Sequence, residues 1–276
     1  MQWWCSAVGV PWSWTWRPYP GVWLFVLALV LAWVWLVQRS QTTRPARRWP
    51  FFAAGVLLLW IALDWPVGAL GAGYLASLHM VQFILIGMAA PPLLLLGLPF
   101  DAAPSPTPGV VRRMGRLLTH PLITLVLFNV IVIATHMPRL TDRLMPSQAG
   151  SFLIDVLWLG AGLLYWWPLL SPERRSWFRA PVQIAYLFAS MVFMTAPGAM
   201  ITFSDLPLYA TYELAPPIAG VSALEDQRLA GIFMRLGASI VVILAISIVF
   251  LRWNRREVRD MEVEQREAAA KSGPPR

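Results

Sequence analysis

The chain has 276 residues, of which 58% are hydrophobic and only 13% are charged, a composition that excludes an ordinary soluble domain and is typical of a membrane protein. Its 16 tryptophans fit the same class, because indole rings favour the interface between lipid and water. The net charge of +8 does not indicate nucleic-acid binding, since the arginines adjoin apolar segments, where anionic lipid headgroups are the simpler partner.

The N-terminal region leads into a first transmembrane segment that we expect to be retained. Its apolar run, residues 21–37, follows a stretch whose only basic residue is Arg17 and ends without a small-residue cleavage pattern. The single cysteine, Cys5, excludes an internal disulfide and has no CxxC partner for redox or metal chemistry, so we expect it to be inert.

Seven apolar segments follow one another along the chain. A helix needs about 20 residues to cross about 30 Å of hydrocarbon, and five of the segments reach that length. The first is slightly short, and the second ends early at Asp64-Trp65-Pro66. Strands are excluded because the runs are too long and do not alternate. The sequence therefore predicts an all-α integral membrane protein, a bundle of seven transmembrane helices, at residues 21–37, 49–63, 73–96, 117–136, 152–170, 181–203 and 229–251.

The arginines alternate between the two sides of these segments. Loops 38–48, 97–116 and 171–180 and the tail after residue 251 are rich in arginine, whereas 64–72 and 204–227 have none. The positive-inside rule then puts the N-terminus outside and the C-terminus in the cytoplasm. We therefore divide the chain into a membrane domain, 1–251, and a charged cytoplasmic tail, 252–276.

Three connecting stretches have a character of their own. Residues 109–118 alternate apolar and arginine positions at helical spacing, which predicts an amphipathic helix lying on the inner leaflet. The acidic outer loop, 204–227, either attracts a cation or partner or simply avoids basic residues as a solvated loop. The end of the tail, 265–276, is predicted to be disordered.

The predicted orientation brings several polar and sulfur-containing side chains to one layer near the outer face. They are His79, Met80, His136, Met137, Asp155, Met194, Met200, Asp226, Gln227, Met234 and Arg235. Imidazole and thioether groups together suit copper. Adjacent helical residues point about 100° apart, so each His-Met pair contributes at most one ligand easily. The alternative is that the methionines fill the core and the histidines bond neighbouring helices.

Two charged residues, Asp155 and Arg235, fall inside apolar segments, where they either pair across helices or serve a function. His120 precedes Pro121 on the other side of the membrane and is predicted to start a helix. No phosphate loop, nucleophile elbow or zinc-protease motif is present in the sequence, so no enzymatic activity is predicted.

Five stretches, in order, resemble the caa-type cytochrome c oxidase assembly factor family (CtaG-like). The first is LHMVQFILIGMAAPPLLLLGLP, residues 78–99. It is followed by the His120-Pro121 pair, THMPRLTD around His136, GLLYWWPLL ending at Leu170, and EDQRLAGIFM at 225–234. Together they cover about residues 60 to 250.

The resemblance implies a seven-helix membrane protein needed to form an active terminal oxidase, with copper delivery as the usual proposal. It points to His79, Met80, His136 and Asp226. With the residues of the same layer added, the candidate copper ligands are His79, Met80, His136, Met137, Asp155 and Asp226.

The chain also departs from the family pattern. Phe83 stands where the family has a second histidine on the same helix face, and Asp155 stands where the fifth helix usually supplies one, with Ser151 near another such position. Arg235 replaces the usual tryptophan after Met234. Fewer imidazoles make a poorer copper site. Asp155 is then either a metal ligand in place of a histidine or the partner of Arg235.

The sequence thus predicts a multi-pass protein of the cytoplasmic (inner) membrane that assists cytochrome oxidase assembly, with oxidase subunits and lipids as partners and copper as the metal. Two alternatives stay open. One is a metal-free scaffold that docks oxidase subunits, and the other is a small-solute transporter using Asp155 and Arg235.

Overall fold

A computed structural model describes residues 2–40, 47–99, 109–171, 177–218 and 220–271, with backbone only at 110–112 and 269–271. These residues form helices and connecting turns and contain no strand. The helices are α1 (Pro20–Arg39), α2 (Trp49–Leu63), α3 (Val67–Gly73), α4 (Ala76–Phe83), α5 (Ala90–Gly97), α6 (Gly109–Leu118), α7 (Pro121–Thr135), α8 (Pro138–Leu144), α9 (Gln148–Leu170), α10 (Ala180–Phe203), α11 (Ala210–Glu213) and α12 (Ala223–Lys271). A π-helical turn, Ile84–Ala89, joins α4 and α5 into one rod.

Five helical units are long and apolar enough to cross a membrane: α1, the α4–α5 rod, α9, α10 and α12. Two further helix pairs pass the same test only when each is counted as one bent span. The α2–α3 pair bends by 48° and the α7–α8 pair by 71°. The described residues therefore contain five to seven candidate spans, and a seven-helix bundle requires both bent pairs. The orientation of the bundle stays a prediction.

The segment boundaries differ from the predicted ones where local chemistry intervenes. Most of residues 64–72, predicted to be a loop, belong to the buried helix α3, which ends at Gly73. The fourth segment begins at Pro121, because His120 is extended ahead of the proline and separates α6 from α7. The predicted helix at 109–118 is confirmed as α6, and its Met114 and Leu117 side chains are exposed. Its place on the inner leaflet stays a prediction.

The last helix is much longer than predicted. Helix α12 begins at Ala223 and continues without a break past residue 251 to Lys271. Disorder from Gln265 onward is therefore wrong as far as Lys271, and residues 272–276 lie outside the described residues. The reason is composition, since residues 252–271 consist largely of Arg, Glu, Ala and other good helix formers without glycine or proline.

The α4–α5 rod lies at the centre of the bundle. Helix α2 packs on α5, α12 packs on α4, and α9 packs on the π-helical turn and α5, while α10 packs on both α12 and α7. Small residues permit the closest approach. A Cβ atom on Gly162 of α9 would overlap the carbonyl oxygen of Gly87 and lie 2.7 Å from Pro91 Cγ. The α9 backbone therefore rests directly on the π-helical turn.

Replacing Gly162 by alanine is expected to destabilise the fold by about 1–3 kcal/mol, because the methyl group meets a backbone oxygen that cannot move aside. Thermal unfolding of the purified protein in detergent measures the effect. Gly160 is the matched control, since a Cβ there has nothing within 4 Å, and Gly160→Ala should be neutral or slightly stabilising. Equal unfolding temperatures for the two variants would contradict the close helix contact.

Candidate functional site

Two buried histidines from distant parts of the chain meet inside the bundle. His79 lies on α4 and His136 ends α7, and the two side chains are 2% and 1% exposed. Their ring centroids are 6.3 Å apart, with the ring planes inclined at 52°. The structure thus brings together the two histidines that the sequence placed in one layer.

Aromatic rings form the walls around this histidine pair. The Trp158 ring lies 4.9 Å from that of His79 and is nearly parallel to that of His136 at 5.6 Å, between centroids. Phe83 lies 4.9 Å from His136 and Tyr212 lies 5.9 Å from His79. Phe83 thus places an apolar ring where the family pattern has a second histidine on this helix, which would have been the third imidazole of the site.

Three of the four ring nitrogens of the histidine pair have no hydrogen-bond partner among the described residues. His136 Nδ1 lies 2.7 Å from the carbonyl oxygen of Val132, which only accepts, so Nδ1 carries the proton and Nε2 keeps a lone pair. His136 Nε2 and both ring nitrogens of His79 are buried without a hydrogen-bond partner among the described residues. Such atoms cost about 1–3 kcal/mol each when unsatisfied, and they call for an ion or water.

Hydrogen bonds fix the end of α7 that carries His136. The Tyr209 hydroxyl donates to the His136 carbonyl oxygen at 2.7 Å, and the Thr141 hydroxyl donates to the Thr135 carbonyl at 2.9 Å. The Trp158 indole donates to the Thr135 hydroxyl at 2.9 Å. Sequence reasoning missed Tyr209, Tyr212 and Trp158, and nothing in one sequence marks them, because their roles arise only from packing.

Asp226 holds the start of the helix that carries His79. Its carboxylate accepts hydrogen bonds from the Ala76 N–H at 2.5 Å, from the Ser77 N–H at 3.3 Å and from the Ser77 hydroxyl. The residue before α4, Leu75, has no side chain able to cap the helix, so Asp226 of α12 supplies that cap from 150 positions away. The structure thus gives this predicted copper ligand a positioning role.

Asp155 and Arg235 do not meet. Asp155 is buried and accepts a hydrogen bond from the Trp4 indole at 2.8 Å, so it anchors the N-terminal segment. Arg235 is exposed on α12 with its stem against α10, where a Cβ on Gly198 would lie 2.6 Å from Arg235 Cγ. The interhelical pair considered as an alternative is therefore not formed.

The remaining candidates take other positions. Met80 is buried, whereas Met137 is 45% exposed at the bend between α7 and α8.

His120 starts α7, as predicted, and its Nδ1 accepts from the Leu122 N–H at 3.3 Å. Burial raises the pKa of the Cys5 thiol well above its usual range, which keeps the thiol protonated and unreactive.

The acidic loop before α12 is tied into local structure. Ser222 and Glu225 form a reciprocal capping box, in which the Ser222 N–H donates to the Glu225 carboxylate at 3.0 Å and the Glu225 N–H to the Ser222 hydroxyl at 3.3 Å.

Across the described ranges, no three His, Cys, Asp or Glu side chains are grouped as metal ligands. The histidine pair is therefore the core of the candidate site.

Comparisons with known proteins give one family. The cytochrome c oxidase caa3 assembly factor family (Caa3_CtaG) matches residues 9–256. Uncharacterized proteins of Mycobacterium bovis and Mycobacterium tuberculosis are each 25% identical to the chain over 268 residues, which is 87% of this chain and 40% of theirs. One from Mycobacterium leprae is 25% identical over 256 residues, 84% of this chain and 38% of its own.

The chain thus spans about two-fifths of the length of these curated relatives. No solved structure gives a significant match. The family match runs through all the membrane helices, from before α1 into α12, and includes both histidines and Asp226. It confirms the resemblance drawn from the sequence motifs, and the chain belongs to the cytochrome c oxidase caa3 assembly factor family.

Proposed function

We propose that this protein assists cytochrome c oxidase assembly in the cytoplasmic membrane by holding a copper ion transiently between His79 and His136. The observation that carries the proposal is the set of buried ring nitrogens without partners. The Nδ1–H of His136 bonds a backbone carbonyl, the arrangement that metal-bound histidines use to orient the ring and direct Nε2 at the ion. Copper is here the cargo, passed on to the oxidase.

The spacing of the rings supports a shared ion. With metal–nitrogen distances of about 2.0 Å, two imidazoles on one ion have centroids no more than about 6.3 Å apart. The centroids of His79 and His136 are 6.3 Å apart, which is this upper limit. A single ion shared by the pair would therefore need one ring nitrogen of each histidine to face the other along the line between the rings.

The surroundings favour the monovalent form of the ion. No third His, Cys, Asp or Glu joins the pair within the described residues, and the walls are aromatic. A doubly charged ion without carboxylate ligands costs more to bury than a singly charged one. Trp158 also offers its ring to a cation. Cu(I) is therefore the proposed cargo, with thioether sulfur as a further soft ligand during transfer.

Cells that lack this chain should assemble oxidase with less copper. We expect lower oxidase activity and a lower copper-to-haem ratio in the purified oxidase, and recovery when the chain is returned or when excess copper is supplied. A copper-to-haem ratio unchanged by removal of the chain would overturn copper delivery while leaving a role in assembly intact.

A metal-free scaffold is the second candidate, and it is favoured because no third His, Cys, Asp or Glu joins the histidine pair in the described ranges. In that case the chain would co-purify with oxidase subunits, and His79→Ala or His136→Ala would change neither that association nor oxidase activity. The small-solute transporter is the third candidate, and it would use Asp155 and Arg235 as separate groups because the two residues have separate surroundings.

A further inference from the structure

A large groove opens at the end of the bundle away from the histidine pair. It has a volume of about 960 Å³ and lies among α5, α9, α10 and α12. Leucine and isoleucine side chains form its apolar wall: Leu93, Leu96, Leu170, Leu187, Leu244 and Ile248. The family function described above gives this groove no role.

The other end of the groove is basic. Arg179, the residue before α10, and Arg252 and Arg256 of α12 line it. Arg252 and Arg256 are four residues apart and therefore share one face of the helix. In the part of the chain that the structure describes, none of these three guanidinium groups forms a hydrogen bond or ion pair. Each has its donors available for a ligand.

The basic end lies at the level where the apolar part of the bundle ends. The apolar run of α10 begins directly after Arg179, and that of α12 ends at Leu251, directly before Arg252. Trp253 lines the same end, where indole rings favour the lipid headgroup region. The groove therefore passes from a hydrocarbon-like wall to a cationic rim over about 18 Å of α12, from Leu244 to Arg256.

We infer that this groove binds one anionic phospholipid of the surrounding membrane, with its phosphate at the three arginines and an acyl chain along the leucine wall. Guanidinium groups match phosphate oxygens in pairs, and basic pockets between transmembrane helices bind anionic headgroups. The acidic residues at the rim are Glu257, which accepts from the Trp253 indole at 2.9 Å, and Asp260. Three arginines against two carboxylates leave one net positive charge for an anionic lipid.

The test uses the purified full chain with phosphatidylglycerol or phosphatidylcholine, and native mass spectrometry counts the lipid retained. We expect the chain to prefer phosphatidylglycerol and the Arg252→Gln/Arg256→Gln variant to lose that preference roughly tenfold. The matched control is Arg255→Gln/Arg259→Gln, which removes the same charge from the same helix outside the groove and should keep the preference.

A second variant tests the apolar wall. Leu244→Trp fills the groove without changing charge and should lower phosphatidylglycerol retention while the unfolding temperature is maintained. Equal loss in both arginine double variants would overturn the inference, as would retention of phosphatidylcholine to the same degree as phosphatidylglycerol. Stabilisation by inorganic phosphate as strong as that by the lipid would also overturn it, because free phosphate cannot use the wall.

Discussion

Replacing His79 by phenylalanine is expected to abolish copper retention and leave the fold intact. Phenylalanine fills nearly the same space among Trp158, Tyr212 and His136, and the ring nitrogens that it removes have no partners among the described residues. Exchanging an unsatisfied buried polar group for an apolar one of similar shape is nearly neutral or stabilising. Loss of one of two ligands should weaken copper binding by more than about 100-fold. Cu(I) titration under reducing conditions and thermal unfolding measure the two effects.

Two further variants sharpen this prediction. His120→Ala removes a histidine from the start of α7, about 24 Å along the helix from His136, and should leave copper binding unchanged. Phe83→His introduces an imidazole at a ring that lies 4.9 Å from His136, so it should strengthen Cu(I) binding. If His79→Phe retained copper as the unchanged protein does, the ion would lie elsewhere and the histidine pair would be structural.

The approach of His79 to His136 could be predicted because it depends on features that a single sequence carries. Long apolar runs mark the helices, and the arginine-rich loops predict their alternating directions, so residues near the same ends are predicted to fall in one layer. The second segment, Trp49–Leu63, agrees in both bounds, because Pro50 and the Asp64-Trp65-Pro66 sequence delimit it.

The partners of the polar side chains within that layer could not be predicted. Asp226 lay at the right level for a ligand, yet its rotation about α12 directs it to the start of α4. Asp155 likewise bonds Trp4 from a segment without helical periodicity. Such bonds join residues about 150 positions apart, and hydropathy patterns carry no information on how each helix is rotated.

Replacing Asp226 by alanine is expected to destabilise the protein by about 3 kcal/mol or more, because two buried N–H groups and one hydroxyl lose their acceptor. Asparagine keeps one acceptor oxygen, so Asp226→Asn should cost roughly 1–2 kcal/mol. Thermal unfolding in detergent gives the order of the two variants. Glu225→Ala is the matched control, since this neighbouring carboxylate is exposed and bonds only within its own capping box.

Copper binding by the same variants separates a positioning role from a ligand role. If Asp226 acts through α4, Asp226→Ala lowers copper retention because His79 shifts with the uncapped helix, whereas Asp226→Asn keeps α4 in place and keeps the copper. A direct ligand behaves differently, because the amide is a far weaker donor than the carboxylate. Loss of copper in Asp226→Asn, with an unfolding temperature lowered by no more than corresponds to the roughly 1–2 kcal/mol expected for that variant, would therefore return Asp226 to the metal site and reject a purely positioning role.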